Sequence, residues 1–403
     1  MEGRSRAPRN ILVITYWGYA DALVQTYTLP YVRMMLDALP VGSRVHVVTL
    51  EKPGATVIAV TDTGVVHHPF PYRSFGAGGL GMIVSLTWRL LGLVRRERVD
   101  TVHAWCTPAG MIGHLVSILS GRPLVIDSYE PHAEAMVENG TWRRGGLAHR
   151  VLFLFERLQT RRANVLIAAT EGMRRYAEEK FGATRARWFV KPACVDLERF
   201  SERNIKRQEL LGSMDLEGRV VAMYAGKFGG IYLQQEVFDL FRAARDHWGD
   251  RLRILLLTPH TLEELGPYID KAGLDRDQFI IRWVPHHEVP DLMGLADFAV
   301  TPVKPVPTKR FCTPVKDGEY WALGLPVIIT PGISDDSGII ADNGIGSVIG
   351  SLDRAGYEKA VQGIAVLLEG RSRKELYDLI RPIAVRYRSF DAARRIYAEI
   401  YGN

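Results

Sequence analysis

The densest concentration of chemically useful side chains is the run PTKRFCTPVKDGEYWALGLP at residues 307–326. Lys309, Arg310 and Lys316 place three cations beside glycines and the polar Cys312 and Thr313, an arrangement suited to anions. The run follows a strand-like segment ending at Thr301, the position where open α/β sheets bind ligands. Glu319, on the first turn of a helical pattern, is placed to accept hydrogen bonds from vicinal hydroxyls such as those of a ribose. The alternative is a basic surface loop leading into a helix whose N-terminal glutamate suits the macrodipole. A second candidate is Tyr224-Ala225-Gly226-Lys227-Phe228-Gly229-Gly230, again between a strand and a helix. Glycines there let backbone N–H groups approach a phosphate, the helix N-terminus adds partial positive charge and Lys227 adds a full one. A glycine turn with an exposed lysine is the simpler reading, and the spacing is not the GxxxxGK[ST] of a P-loop. The third candidate, Asp127-Ser128-Tyr129-Glu130-Pro131-His132-Ala133-Glu134, places Asp127, Glu130 and His132 at a strand end as general bases or partners of a sugar hydroxyl. Asp127 or Ser128 would serve equally well as a helix cap.

Other clusters are set aside. Asp275-Arg276-Asp277 reads as a turn or cap, and Asp335-Asp336 as a local turn. His286-His287-Glu288 lacks the spacing that puts two imidazoles on one helix face, and His67-His68 has no carboxylate partner in register. No metal site is expected. The first strand is followed by Tyr16-Trp17-Gly18-Tyr19-Ala20-Asp21 in place of GxGxxG, which removes the main support for a dinucleotide oxidoreductase.

These residues must be carried by βαβ units. Ile11–Thr15, Arg44–Leu50, Thr101–Ala104, Leu124–Ile126 and Val165–Ala169 are strand-like and alternate with helical patterns, which predicts a Rossmann-like parallel sheet. A second series runs through Val220–Ala225, Arg253–Leu257, Phe279–Trp283, Phe298–Thr301 and Pro326–Ile329. We therefore expect an N-terminal domain over 1–200, a polar linker over 201–218, a C-terminal domain over 219–385 and a helix over 386–403 returning across the joint. The 403 residues, 47% hydrophobic and 24% charged, suit two globular domains. A net charge of +6 is too small and dispersed to mark a nucleic-acid binder, but it suits phosphates or acidic lipids. Cys106, Cys194 and Cys312 lie far apart without a CxxC pair, which points to a reducing compartment. The basic N-terminus leads straight into a buried strand and does not read as a secretory signal. Leu80–Val94 is broken by Ser85, Thr87 and Arg89 and is too short to cross a bilayer. A cytoplasmic location follows, with peripheral attachment to the inner face of a membrane as a variant of it.

With these residues in view, the chain resembles the glycosyltransferase family 4-like group of the GT-B superfamily. Gly226-Lys227 after a strand, Asp297 and Pro302, and above all the segment from Lys316 through Glu319-Tyr320 to Gly324-Leu325-Pro326-Val327-Ile328 are similar to that family's C-terminal motifs. In the first half, Asp21-Ala22-Leu23-Val24-Gln25-Thr26-Tyr27-Thr28-Leu29-Pro30-Tyr31 resembles the opening segment of some members, as do Val102-His103-Ala104, Glu156-Arg157 and Cys194-Val195-Asp196 to Phe200. The resemblance implies two Rossmann-like domains with parallel sheets facing an interdomain cleft. It implies a nucleotide-sugar donor held by the C-terminal domain, an acceptor held by the N-terminal one, and metal-independent transfer, most often with retention. No cofactor is implied beyond the nucleotide-sugar co-substrate.

Under that resemblance Lys227 and Lys316 would neutralise the leaving diphosphate, with backbone N–H groups near Gly229, Gly230, Cys312 and Thr313. Glu319 would hold the ribose, and the strand end around Pro285 would meet the base. Asp127, Glu130 and His132 would orient or activate the acceptor, with Asp21, Gln25, Tyr27 and His103 beside it. The family's Glu-x7-Glu pair is broken here by Phe311, leaving Thr313, Lys309 or Arg310 to replace the first carboxylate. The acceptor would be a sugar, a lipid-linked molecule or a small molecule. Two further readings are a nucleotide-sugar epimerase or hydrolase of the same fold, and a basic membrane-binding protein. The second draws on Arg89, Arg95, Arg96 and the arginine-rich run Trp142 to Arg162, for which a solvated helix face is the alternative.

Overall fold

The computed structural model describes residues 7–402 apart from 22, 55–58 and 75. Ala22 of the opening segment and residues 1–6 of the basic N-terminus lie outside the described residues. The chain divides into two compact units, Met1–Pro192 with Asp391–Asn403, and Ala193–Phe390.

The first unit runs β1 (Asn10–Ile14), α1 (Leu29–Ala38), β2 (Arg44–Glu51), β3 (Val65–Pro71), α2 (Ala77–Arg96), β4 (Val99–Trp105), α3 (Cys106–Ser120), β5 (Leu124–Tyr129), α4 (His132–Glu138), α5 (Leu147–Arg162), β6 (Val165–Ala168), α6 (Gly172–Phe181) and β7 (Arg187–Val190). Its strands form one seven-stranded sheet in the order β3-β2-β1-β4-β5-β6-β7, and the pairings are parallel. The central strands read as continuous apolar runs because helices cover both faces: Ile11 to Ile14 are fully buried.

The second unit runs α7 (Gln208–Ser213), β8 (Val220–Ala225), α8 (Gln235–Trp248), β9 (Leu252–Leu257), α9 (Leu262–Lys271), β10 (Phe279–Arg282), α10 (Val289–Met293), β11 (Phe298–Thr301), α11 (Val315–Ala322), β12 (Val327–Ile329), α12 (Asp336–Asn343), β13 (Gly346–Val348), α13 (Arg354–Glu369) and α14 (Arg373–Arg388). A six-stranded parallel sheet has the order β10-β9-β8-β11-β12-β13. Residues 201–218 lie inside this unit and include a 310 turn at Glu202–Asn204 as well as α7. The last helix, α15 (Phe390–Tyr401), belongs from Asp391 onward to the first unit.

Three strands escaped the sequence reading, and all three are edges. β3 carries Pro69 and Pro71 with partly exposed histidines, and prolines are tolerated in a sheet where a missing N–H faces outward. β7 and β13 are short and only half-buried, so neither shows an apolar run.

One buried acid in the first unit makes a stability prediction. Glu156 of α5 accepts a hydrogen bond from the backbone N–H of Ala133 at 2.7 Å, and its other carboxylate oxygen is buried with no hydrogen-bond partner. Burial raises its pKa to about 8 against the opposing effect of that bond. The folded state thus holds a proton that the unfolded chain releases near pH 4.5. The stability this contributes is present below the unfolded value and is lost as pH rises through about 8. Glu156→Gln is expected to flatten the fall in unfolding free energy between pH 5 and 8, measured by urea denaturation at a series of pH values. An unchanged slope would place the proton elsewhere.

Candidate functional site

In the second unit the strand order reverses between β8 and β11, and the loops after these two strands stand where such sheets take ligands. The loops are tied together: Leu233 N–H donates to Pro302 O at 2.8 Å and Lys304 N–H to Ile231 O at 2.9 Å. Within the first loop Tyr224 donates its hydroxyl to Lys227 O at 2.5 Å. Gly229 and Gly230 have φ of +77° and +63°, left-handed values that suit glycine. The Lys227 side chain is exposed at this turn.

The helix α11 supplies the other wall. Pro314 stands at its N-cap, where a ring without N–H stops the preceding extended chain and the helix can begin. The segment KDGEYW then sorts its residues by helical phase. Lys316 and Glu319, three apart, meet with Nζ 2.8 Å from Oε2, and His286 brings Nε2 to 3.7 Å from Oε1. Burial alone would raise the Glu319 carboxyl, but the Lys316 ammonium, helped by His286, outweighs it and holds the group below the usual range. The carboxylate is therefore ionised, nearly buried and oriented, while the Lys316 side chain stays 35% exposed.

The remaining residues of the segment point into the unit. The buried Tyr320 hydroxyl accepts a hydrogen bond of 3.0 Å from Ala225 N–H, joining α11 to the end of β8. Asp317 bonds Thr301, and burial with the neighbouring Asp336 raises its pKa well above the carboxylate range. Asp336 is ion-paired with the fully buried Arg388, which lies over the Trp321 ring. Gly318 is required by this packing, since a Cβ there would stand 2.7 Å from Val195 Cγ2. Asp335 lies in the local turn expected there, and Asp336, the first residue of α12, is an internal counter-ion. The Asp275-Arg276-Asp277 segment does form the expected cap, with Asp275 and Gln278 in a reciprocal capping box.

Of the other donor candidates, Gly226 donates its N–H to Leu257 O at 3.0 Å, and Lys309 is buried in the 310 turn Pro307–Phe311 with Arg310 exposed beside it. Cys312 and Thr313 are half-buried immediately before α11, and Pro285 is exposed beyond β10.

In the first unit Asp127 turns inward. At the end of β5 its carboxylate is fully buried and accepts hydrogen bonds from Tyr397 Oη at 2.6 Å and Ser128 N–H at 2.6 Å. Lys191 Nζ lies 3.2 Å away, and His103 Nε2 3.5 Å away. His103 in turn meets Tyr401 Oη at 2.7 Å. Burial would raise the Asp127 carboxyl, yet Lys191, then His103 and Tyr397, hold it at about 2. Asp127 and His103 are therefore internal partners that fix α15 to the sheet, and the geometry leaves neither oxygen for an acceptor hydroxyl. Lys191, which this network centres on, carries no motif in the sequence and was missed.

What remains accessible lies one turn further on. Glu130 Oε1 is 3.0 Å from His132 Nδ1, with side chains 29% and 24% exposed. Tyr27, half-buried, has its hydroxyl 3.5 Å from Ser128 Oγ. Gln25 donates to Tyr19 O at 2.6 Å, and Asp21 accepts from Leu23 N–H at 2.8 Å, so Asp21 starts the helical stretch before α1. Cys106 and Ser128 have φ of +68° and +50° at the ends of β4 and β5, strained positions of the kind that gather at functional sites. Beyond β2 and β3 lies a cavity of about 330 Å³ lined by Phe70, Tyr72 and prolines, with Glu51, Lys52 and Arg73 among its polar groups. Glu51 also stands 3.8 Å from His67, the carboxylate partner that the sequence reading had denied this histidine pair. The strand pairing decides this: Val47 on β2 lies opposite His67 on β3, and Thr49 and Glu51, on the same face of β2 as Val47, reach the His67 ring with their side chains.

Residues 25–194 match the profile of the glycosyl transferase 4-like domain. The chain carries a glycosyl transferase 4-like domain. With its two parallel-sheet units the chain has the GT-B fold. Solved structures share the fold along the whole chain. The Anabaena protein HepE in complex with UDP has a TM-score of 0.71 at 14% identity, covering 97% of this chain and 99% of that one. Sucrose-phosphate synthase from Thermosynechococcus elongatus has 0.74 at 13%, covering 98% of each. WaaG, a glycosyltransferase involved in lipopolysaccharide biosynthesis, has 0.71 at 14%, covering 98% and 100%. No curated protein sequence matches the chain. Among the described residues no helix is long and apolar enough to cross a membrane.

Proposed function

We propose that the second unit binds a nucleoside diphosphate sugar and the first unit binds the acceptor, with sugar transfer that needs no metal and retains the anomeric configuration. The observation that carries this reading is the Lys316–Glu319 pair on the first turns of α11, at the switch point between β8 and β11. A helix N-terminus with an adjacent, partly exposed ammonium favours a diphosphate. Lys316 and Lys227 supply fixed positive charge as the diphosphate departs, which is the task a metal would otherwise perform. The buried, ionised Glu319 can accept two hydrogen bonds from a ribose, and the exposed Trp283 and Pro285 after β10 offer a surface for the base. HepE has been crystallised with UDP-glucose, which makes uridine diphosphate sugars the first donors to test. On the acceptor side the aromatic and proline walls of the cavity beyond β3 suit a sugar ring, and the Glu130–His132 pair is the accessible acid–base couple.

A thermal-shift panel of nucleoside diphosphates and their sugar conjugates tests the donor site, since a ligand that binds only the folded state raises the melting temperature. One base is expected to stand out. Glu319→Ala is expected to weaken that nucleotide about 10- to 100-fold, the worth of hydrogen bonds to a charged acceptor. Unchanged affinity would place the ribose elsewhere. The anomeric proton of the product, followed by NMR, decides between retention and inversion.

A further inference from the structure

The first unit exposes large apolar side chains in one place. On α2, Leu80, Val84 and Trp88 recur every fourth residue and are 65%, 49% and 67% exposed. On α5, Leu147, Leu154 and Leu158 are 80%, 50% and 37% exposed. Ile118 and Leu119 at the end of α3 are more than half exposed, and α3 packs against both α2 and α5. Among the described residues of this unit Val41 is the one other large apolar side chain so exposed. These helices make the crossovers β3 to β4, β4 to β5 and β5 to β6, all in one direction across the sheet. Right-handed connections therefore place them on the same face.

Charge on this layer has one sign. α2 carries Arg89, Arg95 and Arg96, and α5 carries Arg150, Arg157, Arg161 and Arg162, preceded by Arg143 and Arg144. Their only carboxylate is Glu156, which is buried. Arg96 meets Glu97, just past the end of α2, at 2.8 Å, and Arg162 donates to Arg122 O. Arg89, Arg95, Arg150 and Arg157 are exposed between the apolar residues. A solvated helix face would carry both signs and few leucines, whereas apolar side chains interspersed with arginines match an interface that is apolar below and anionic above.

We infer that the outer face of α2, α3 and α5 docks on an anionic lipid surface. Trp88 and the leucines enter the boundary between headgroups and acyl chains, and the arginines meet lipid phosphates. The inference stands apart from the donor site, which lies in the other unit.

Flotation of the full chain with vesicles tests it. Binding is expected to phosphatidylcholine vesicles that contain phosphatidylglycerol, weaker binding to phosphatidylcholine alone, and release by salt. Arg150→Ala and Arg157→Ala are each expected to lower partitioning roughly fivefold, and Trp88→Glu with Leu154→Glu to abolish it. Melting temperature and nucleotide affinity should stay unchanged in all of these surface variants. Absence of binding to anionic vesicles at low ionic strength would overturn the inference. So would full binding by the folded Trp88→Glu/Leu154→Glu variant. A dimer in light scattering that this double variant converts to monomer, without vesicle binding, would assign the face to a second copy and overturn it too.

Discussion

Lys316→Ala is expected to lower turnover by roughly 10²–10³-fold, the usual effect of removing one group that stabilises developing charge. The side chain has two tasks. Its ammonium is the partly exposed cation nearest the start of α11, where the leaving diphosphate is expected, and it holds Glu319 Oε2 at 2.8 Å. Without it, burial raises the Glu319 carboxyl with only His286 to oppose it. Nucleotide affinity in the variant should therefore fall as pH is lowered over a range where the unmodified protein is insensitive. Glu319 has its pKa depressed in the folded chain, so its ionised state is kept above the unfolded value and lost as pH drops through the folded one; Lys316→Ala moves that loss to higher pH. Steady-state kinetics and nucleotide titrations at several pH values read both effects, and circular dichroism confirms the fold. Full activity in the variant would remove the diphosphate clamp from the proposed mechanism.

Lys191→Met is expected to cost about 3–5 kcal/mol of stability, because it leaves the Asp127 carboxylate buried without its cation. Both side chains are fully buried, and Lys191 Nζ also lies 3.6 Å from the centre of the Tyr31 ring. Asp127→Asn should be comparably harmful, since it strands the lysine, while the double variant Asp127→Asn/Lys191→Met should recover much of the loss. Denaturant titrations of the four proteins measure the coupling. The sign with pH follows from the depressed Asp127 value: its contribution is present above the unfolded pKa of 3.8 and disappears as pH falls towards about 2. Single variants as stable as the unmodified chain would show that the network is not a support of the first unit. Release of α15 alone, detected by hydrogen exchange, would locate the damage at Tyr397 and Tyr401, whose hydroxyls reach Asp127 and His103.

The two sheets were legible because parallel strands covered on both faces must be apolar throughout, and Ile11–Ile14, Val220–Ala225 and Leu252–Leu257 need no partner to reveal themselves. The Lys316–Glu319 spacing was legible for a related reason, since residues three apart on a helix meet whatever surrounds them. Edge strands β3, β7 and β13 were not, as an edge tolerates prolines and polar residues. The role of Asp127 shows the limit most clearly. A carboxylate at a strand end reads as a catalytic candidate, and local sequence does not tell which direction it faces. Its partners are Lys191, beyond the last strand, and Tyr397, separated from it by 270 positions. The same holds for Asp336 and Arg388. Local pattern by itself determined the βαβ units, the glycine turn after β8 and the charged first turns of α11. Which carboxylates are internal counter-ions and which remain for a substrate was decided only by tertiary structure, because burial and ion pairing depend on residues that chain folding brings together from far apart in sequence.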